Sequence, residues 1–152
     1  MSDDLPPDCD DGLIPDDELL YIRVYPDPDA IYFDPDTGEY RAGTTAFRDN
    51  TGPLSADRSS LSTAEQTRDW EPSHPYHVVA IKAGTARKYD CRVVPDPRPQ
   101  TATHAENKAH VSIFGDHKLG NGALRNNSQA RRIAHDPDTK VVLINDKAPR
   151  SS

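Results

Sequence analysis

The densest run of reactive side chains in the 152-residue sequence lies between His104 and Ser112. Read as an extended strand, in which alternate residues share a face, it sets His104, Glu106, Lys108, His110 and Ser112 on one side. Ala105, Asn107, Ala109, Val111 and Ile113 then take the other. A face carrying acid, base and hydroxyl groups suits proton transfer or metal ligation, and His104, Glu106 and His110 form the candidate metal set. A straight strand advances ~3.3 Å per residue, which puts His104 about 20 Å from His110. One cation would therefore need a bend between them, and the plain alternative is the solvent face of a half-buried sheet. A second cluster opens the chain's first apolar run. Tyr21, Arg23 and Tyr25 alternate with Leu20, Ile22 and Val24, so an arginine stands between two tyrosines. Its planar fork can grip a phosphate or carboxylate, or pair with one of the many nearby aspartates.

These residues fall in a recognisable order. Arg23 on an opening strand, Ser55 after the loop Pro53-Leu54-Ser55 and a later Glu106 resemble the Arg–Ser–Glu arrangement of ADP-ribosyltransferase-like domains. The resemblance implies that Arg23 contacts NAD phosphate, Ser55 supports the ribose and Glu106 stabilises a developing oxocarbenium ion; His110 joins these three as a site residue of the enzyme alternative. The family's Ser-Thr-Ser triplet is absent, and His104 stands two residues before Glu106, where that family often has an acid or Gln. The set Leu20-Tyr21-x-Arg23, Ala46-Phe47, Leu54-Ser55 and His104-Ala105-Glu106 also looks similar to short uncharacterised bacterial proteins, a likeness that implies no activity. His110-Val111-Ser112 has the H-x-[ST] form of two-histidine phosphoesterases, which need two such triplets; only one is present.

Charge is distributed unevenly. Residues 1–38 hold twelve acids against the single base Arg23, whereas residues 39–152 hold thirteen acids and seventeen bases. An acidic arm on a mildly basic body is built to dock on a basic partner or to fold over that body; the plain alternative is a solvated tail. Asp8, Asp10, Asp11, Asp16 and Asp17 are the arm's candidate contacts, with Arg125, Arg131 and Arg132 those of the body. The three arginines could also meet nucleic-acid phosphates, but the acid excess and the single Trp70 argue against a dedicated nucleic-acid binder.

Other chemistries find little support. Gly120-Asn121-Gly122 precedes a helix without the GK[ST] of a phosphate loop, and Asp34-x-Asp36-x-Gly38 lacks the spacing and later Glu of a calcium loop. Cys9 and Cys91 frame neither a disulfide scaffold nor a zinc site. No apolar run approaches the ~18 residues of a membrane span, and the acidic start predicts no secretory leader. The expected setting is a prokaryotic cytoplasm.

The elements that must position these residues follow from pattern. Residues 1–17 are expected to be a disordered acidic arm, 18–145 one domain and 146–152 a flexible tail. Leu19–Tyr25 reads as a strand, and Ala30–Phe33 with Glu39–Thr45 as a hairpin closed by Asp34-Pro35-Asp36-Thr37-Gly38. Residues 51–57 read as loop with a short strand near Leu54. Ser62 and Glu65 have capping-box spacing for a helix ending before Pro72. His77–Lys82 and Asp90–Val94 read as strands around a Gly-containing turn, followed by the extended connector Pro95–Gln100. His104–Phe114 reads as strand, 123–135 as helix, and Val141–Ile144 as a closing, interior strand. The fold class is α+β, a β-rich domain of five or six mostly antiparallel strands with two helices. The main functional reading is an accessory protein acting by binding a protein partner, with no cofactor. The alternatives are a compact ADP-ribosyltransferase-like or toxin-like enzyme acting on NAD or RNA, and a metal-dependent hydrolase.

Overall fold

The computed structural model describes Asp10 and residues 12–47, 53–70, 75–115 and 127–145. Eight strands are present: β1 (Leu19–Val24), β2 (Ile31–Asp34), β3 (Glu39–Ala42), β4 (Leu54–Arg58), β5 (His77–Lys82), β6 (Arg92–Pro95), β7 (His110–Phe114) and β8 (Lys140–Leu143). Six of them form one antiparallel sheet in the order β6-β7-β4-β1-β5-β8, and β2 and β3 form a separate hairpin. The helices are α1 (Ala64–Arg68), α2 (Ala83–Lys88) and α3 (Asn127–His135), with a 3-10 turn at Thr44–Phe47. The molecule is thus a β-rich α+β domain, with one helix and two or three strands more among the described residues than the sequence suggests. No described helix is long and apolar enough to cross a membrane.

The alternation in β1 decides the architecture. Leu20, Ile22 and Val24 are buried in a core shared with Ile81, Val93, Val111, Ile113, Phe47 and Ile133. Tyr21 and Arg23 face the other way, as expected. β5 (HVVAIK) has five of its six residues buried because β1 and β8 flank it and α1 packs on it. The hairpin turn is also as read: Gly38 takes φ 73°, a left-handed position that glycine adopts without strain, and donates its N–H to the Asp34 carbonyl at 2.8 Å. The two Asp-Pro-Asp-Thr strings repeat one turn chemistry. Asp34 and Asp136 each accept the backbone N–H two residues on, both at 2.9 Å.

Several expectations are corrected. The stretch 104–109 is loop, because Thr101 Oγ1 accepts the His104 N–H at 3.1 Å and the Arg98 and Asn107 backbones bridge each other at 2.8 Å. Its residues therefore do not alternate with β7. The turn after β5 is the helix α2, while the short strand expected near Leu54 is present as β4, Leu54–Arg58. The first helix is capped one residue later than expected: Gln66 donates its N–H to Thr63 Oγ1 and accepts the Thr63 N–H, both at 3.1 Å. β8 is an edge strand and not an interior one. The start of the last helix at 123–126, the arm residues 1–9 and the tail 146–152 lie outside the described residues.

Asp10 and residues 12–17, expected as the end of a disordered arm, are packed against the body. Ile14 is fully buried, Gly84 donates its N–H to the Asp16 carbonyl at 2.9 Å, and Ala83 donates to the Glu18 carbonyl at 3.0 Å. Glu18 then anchors the turn after β4, accepting from Arg58 at 2.8 and 3.1 Å and from Ser60 Oγ at 2.6 Å. The Arg58 hydrogen bonds, with Ser60 adding to them, hold its carboxyl at about 2, below the ordinary 4.5. A depressed acid stabilises the fold above its unfolded value and loses that contribution as pH falls. The melting-temperature gap between wild type and Glu18→Gln should therefore be full above pH 5 and close between pH 4.5 and 2. A gap independent of pH would contradict this.

Candidate functional site

The polar face of the sheet is organised around Asp57. It stands opposite Tyr21 on β1 and His110 on β7 and is 2% exposed. Its Oδ2 accepts from Thr67 Oγ1 at 2.8 Å and Arg23 Nη1 at 3.3 Å, and its Oδ1 from Asn107 Nδ2 at 2.9 Å. Arg23 also reaches the Thr67 carbonyl at 3.4 Å, and Asn107 Oδ1 accepts the Ala109 N–H at 3.0 Å. β1, β4, α1 and the 98–109 loop thus converge on one carboxylate, each polar group satisfied as burial demands.

Beside it lies a second network. His110 Nδ1 sits 2.9 Å from the Asp96 carbonyl, and Ser112 Oγ donates to Asp96 Oδ2 at 2.9 Å. Arg98 Nη2 pairs with the same carboxylate at 2.9 Å. Burial pushes the His110 imidazole below its ordinary value, and the nearby Arg98 charge adds to this. Arg98 Nε also donates to the same Nδ1 at 3.3 Å, so the ring nitrogen is shared between the Asp96 carbonyl and the guanidinium. Ser112 donates to Asp96 and not to His110, so the nucleophile–base order of a Ser-His-Asp triad is not built. Cys91, buried, has its thiol pushed up to about 12 by desolvation, and so offers no thiolate near neutral pH.

A groove of about 720 Å³ runs between residues 61–70 and the loop 103–108, with Asp57 and Asn107 at its base. Trp70 and His104 stack along it, ring centroids 5.2 Å apart and 19° between planes. Glu106 lies on it and is exposed. The structure therefore places Arg23, Ser55 and His110 on one face of the sheet, with Glu106 on the adjoining groove. The Arg23 guanidinium is held by Asp57, and Ser55 is exposed opposite Ser112. The metal set is not assembled. His104 is in a loop against Trp70 while His110 is buried on β7, and among the described residues no three His, Cys, Asp or Glu side chains converge.

The remaining candidates are dispersed. Tyr21 is half-buried, and Tyr25 sits at the surface with its ring centroid 5.0 Å from that of Tyr76. Arg131 and Arg132 are exposed on α3, and Asp17 is exposed. Arg125, Asp8 and Asp11 lie outside the described residues. Asp10 and Asp16 both bind Arg87.

A surface that sequence reading passed over is the β2–β3 hairpin. Phe33 stands opposite Tyr40 and Tyr32 opposite Arg41, so the two faces carry different chemistry. Phe33 and Tyr40 meet edge to face at 5.4 Å, while on the other face Arg41 pairs with Asp34 at 2.8 Å. Tyr32, Phe33 and Tyr40 remain 39, 53 and 48% exposed. β3 lies against β8 without a shared ladder, leaving a cleft of about 360 Å³ flanked by Tyr40, Arg41, Lys140 and Val142. The signal was available: aromatic residues flank the Asp34–Gly38 turn on both strands. No family model matches the chain, and neither a curated protein nor a solved structure matches it.

Proposed function

We propose that the protein is an accessory module that acts by binding a polypeptide partner, and that the partner docks on the β2–β3 hairpin and the neighbouring β8 edge. The observation that carries this reading is the pair of exposed, edge-to-face rings Phe33 and Tyr40 on one face of a two-stranded hairpin outside the main sheet, with Tyr32 exposed on the opposite face. Aromatic side chains on so small an element contribute little to the core, and tyrosine and phenylalanine are the anchors that protein interfaces favour. The β8 edge beside them offers backbone groups to an added strand. The other edge, β6, is closed: Pro95 carries no N–H, and the Val93 N–H is taken by Asp10 at 3.0 Å. The test is capture by full-length bait beside a Phe33→Ser/Tyr40→Ser bait. A stoichiometric polypeptide held by the first and lost by the second supports the reading; equal retention contradicts it.

A second reading, an ADP-ribosyltransferase-like or toxin-like enzyme acting on NAD or RNA, draws on the groove that holds Glu106 beside the Arg23–Asp57 pair. Glu106→Ala separates the two. The position is exposed, so stability should shift by less than about 0.5 kcal/mol. Under the second reading the same change abolishes turnover of NAD or RNA by the wild-type chain. Wild-type chain that turns over neither leaves the first reading standing.

A further inference from the structure

Asp10, Ile14 and Asp16 are bound the way a ligand is bound. Arg87 uses its whole fork on them: Nε and Nη2 donate to the two Asp10 oxygens at 2.7 and 3.0 Å, and Nη1 donates to the Ile14 carbonyl and to Asp16 Oδ1, both at 2.7 Å. The Val93 N–H, on the outer edge of β6, completes the cradle around Asp10. Between the two carboxylates the Ile14 side chain is fully buried in the core. Close approach depends on Gly84, where an added Cβ would lie 3.0 Å from both the Asp16 carbonyl oxygen and its Cβ. A planar two-bond arginine fork with a converging backbone N–H is a carboxylate receptor. The apolar socket four residues further along sets a spacing that a plain solvated tail would not need.

We propose that the Arg87–Val93 cradle and the Ile14 socket are a binding site for an acidic peptide of a partner, occupied in cis by the chain's own Asp10, Ile14 and Asp16. The site reads a carboxylate, an apolar side chain four residues later and a second carboxylate two residues beyond that. It is distinct from the hairpin surface and stands or falls independently of it. A tethered segment competes at an effective concentration of order millimolar, so a peptide in trans gains access when the tether's own contacts weaken.

The probe is a fluorescent peptide with the sequence of residues 8–18, its cysteine replaced by serine, titrated into full-length chain. Binding to the Asp10→Asn/Asp16→Asn chain should be at least tenfold tighter than to wild type, and should weaken with added salt. Adding Arg87→Ala should remove it, and a peptide carrying the same two Asp→Asn changes should not bind. Should the doubly substituted chain melt near room temperature, wild-type chain supplies the answer: millimolar unlabelled peptide must shift the Gly12 and Ile14 amide resonances of the labelled chain as its own segment leaves the cradle, and the Asn-substituted peptide must not. Equal affinity for wild-type, doubly substituted and Arg87→Ala chains, or Gly12 and Ile14 resonances unmoved by the peptide, overturns the proposal.

Discussion

Replacing Asp57 by alanine is expected to destabilise the fold by about 3–5 kcal/mol, the usual cost of breaking a buried ion pair from one side. Arg23 would keep its charge at a site where its side chain is 15% exposed, with no carboxylate to meet it. Thr67 Oγ1 and Asn107 Nδ2, on buried residues, would lose their acceptor, and buried donors left unsatisfied carry their full desolvation cost. Asp57→Asn should fall between wild type and alanine, since an amide oxygen replaces one acceptor while its NH2 faces donors. Urea unfolding measures this as a lower midpoint with unchanged slope. A loss below about 1 kcal/mol would show that the four segments meeting at Asp57 are held by something else.

Phe47→Ala is expected to cost a comparable 3–5 kcal/mol, as large-to-small changes at fully buried aromatics do. Phe47 closes the 3-10 turn, is 0% exposed and belongs to the same core cluster as Ala130 and Ile133 of α3, the helix that the turn packs against. It is the largest of the fully buried side chains, so its loss opens a cavity that short neighbouring elements cannot readily fill. Against a total stability of about 5–15 kcal/mol, either substitution removes a large share. Phe47→Leu should recover more than half of the loss; equal losses for Leu and Ala would point to disruption of the turn itself.

The sequence made the centre of the fold legible and left its periphery obscure. Strands β1 and β5 were readable because local pattern and burial agree: LLYIRV alternates, and HVVAIK is apolar for most of its length. The hairpin turn was readable because Pro35 fixes its own φ and Gly38 accepts the left-handed φ that the turn requires. The loop at 104–109 misled because its polar and apolar residues alternate by chance, while threonine and asparagine side chains divert the backbone into turns. α2 was missed because six residues containing Gly84 show no helical period and Lys82 supplies no side-chain cap. Val141–Ile144 looked interior because an apolar run does not say which strand closes a sheet.

The site was legible only in part, for the same reason. Arg23, Glu106 and His110 were singled out by type, yet their partners are set by long-range pairing. Asp57 was hidden in a stretch read as loop, and Arg87 meets Asp10 across 77 residues of chain. The exposed aromatics of the hairpin were read only as strand residues, because exposure is a property of the fold and not of the local sequence.

Hydrogen exchange on the full-length chain, alone and with its captured partner, tests the central claim most directly. Partner binding through the hairpin and the β8 edge predicts added protection in 31–42 and 140–143, with the Trp70–Glu106 groove unchanged. Protection confined to the groove, or absent from both strands, would contradict it.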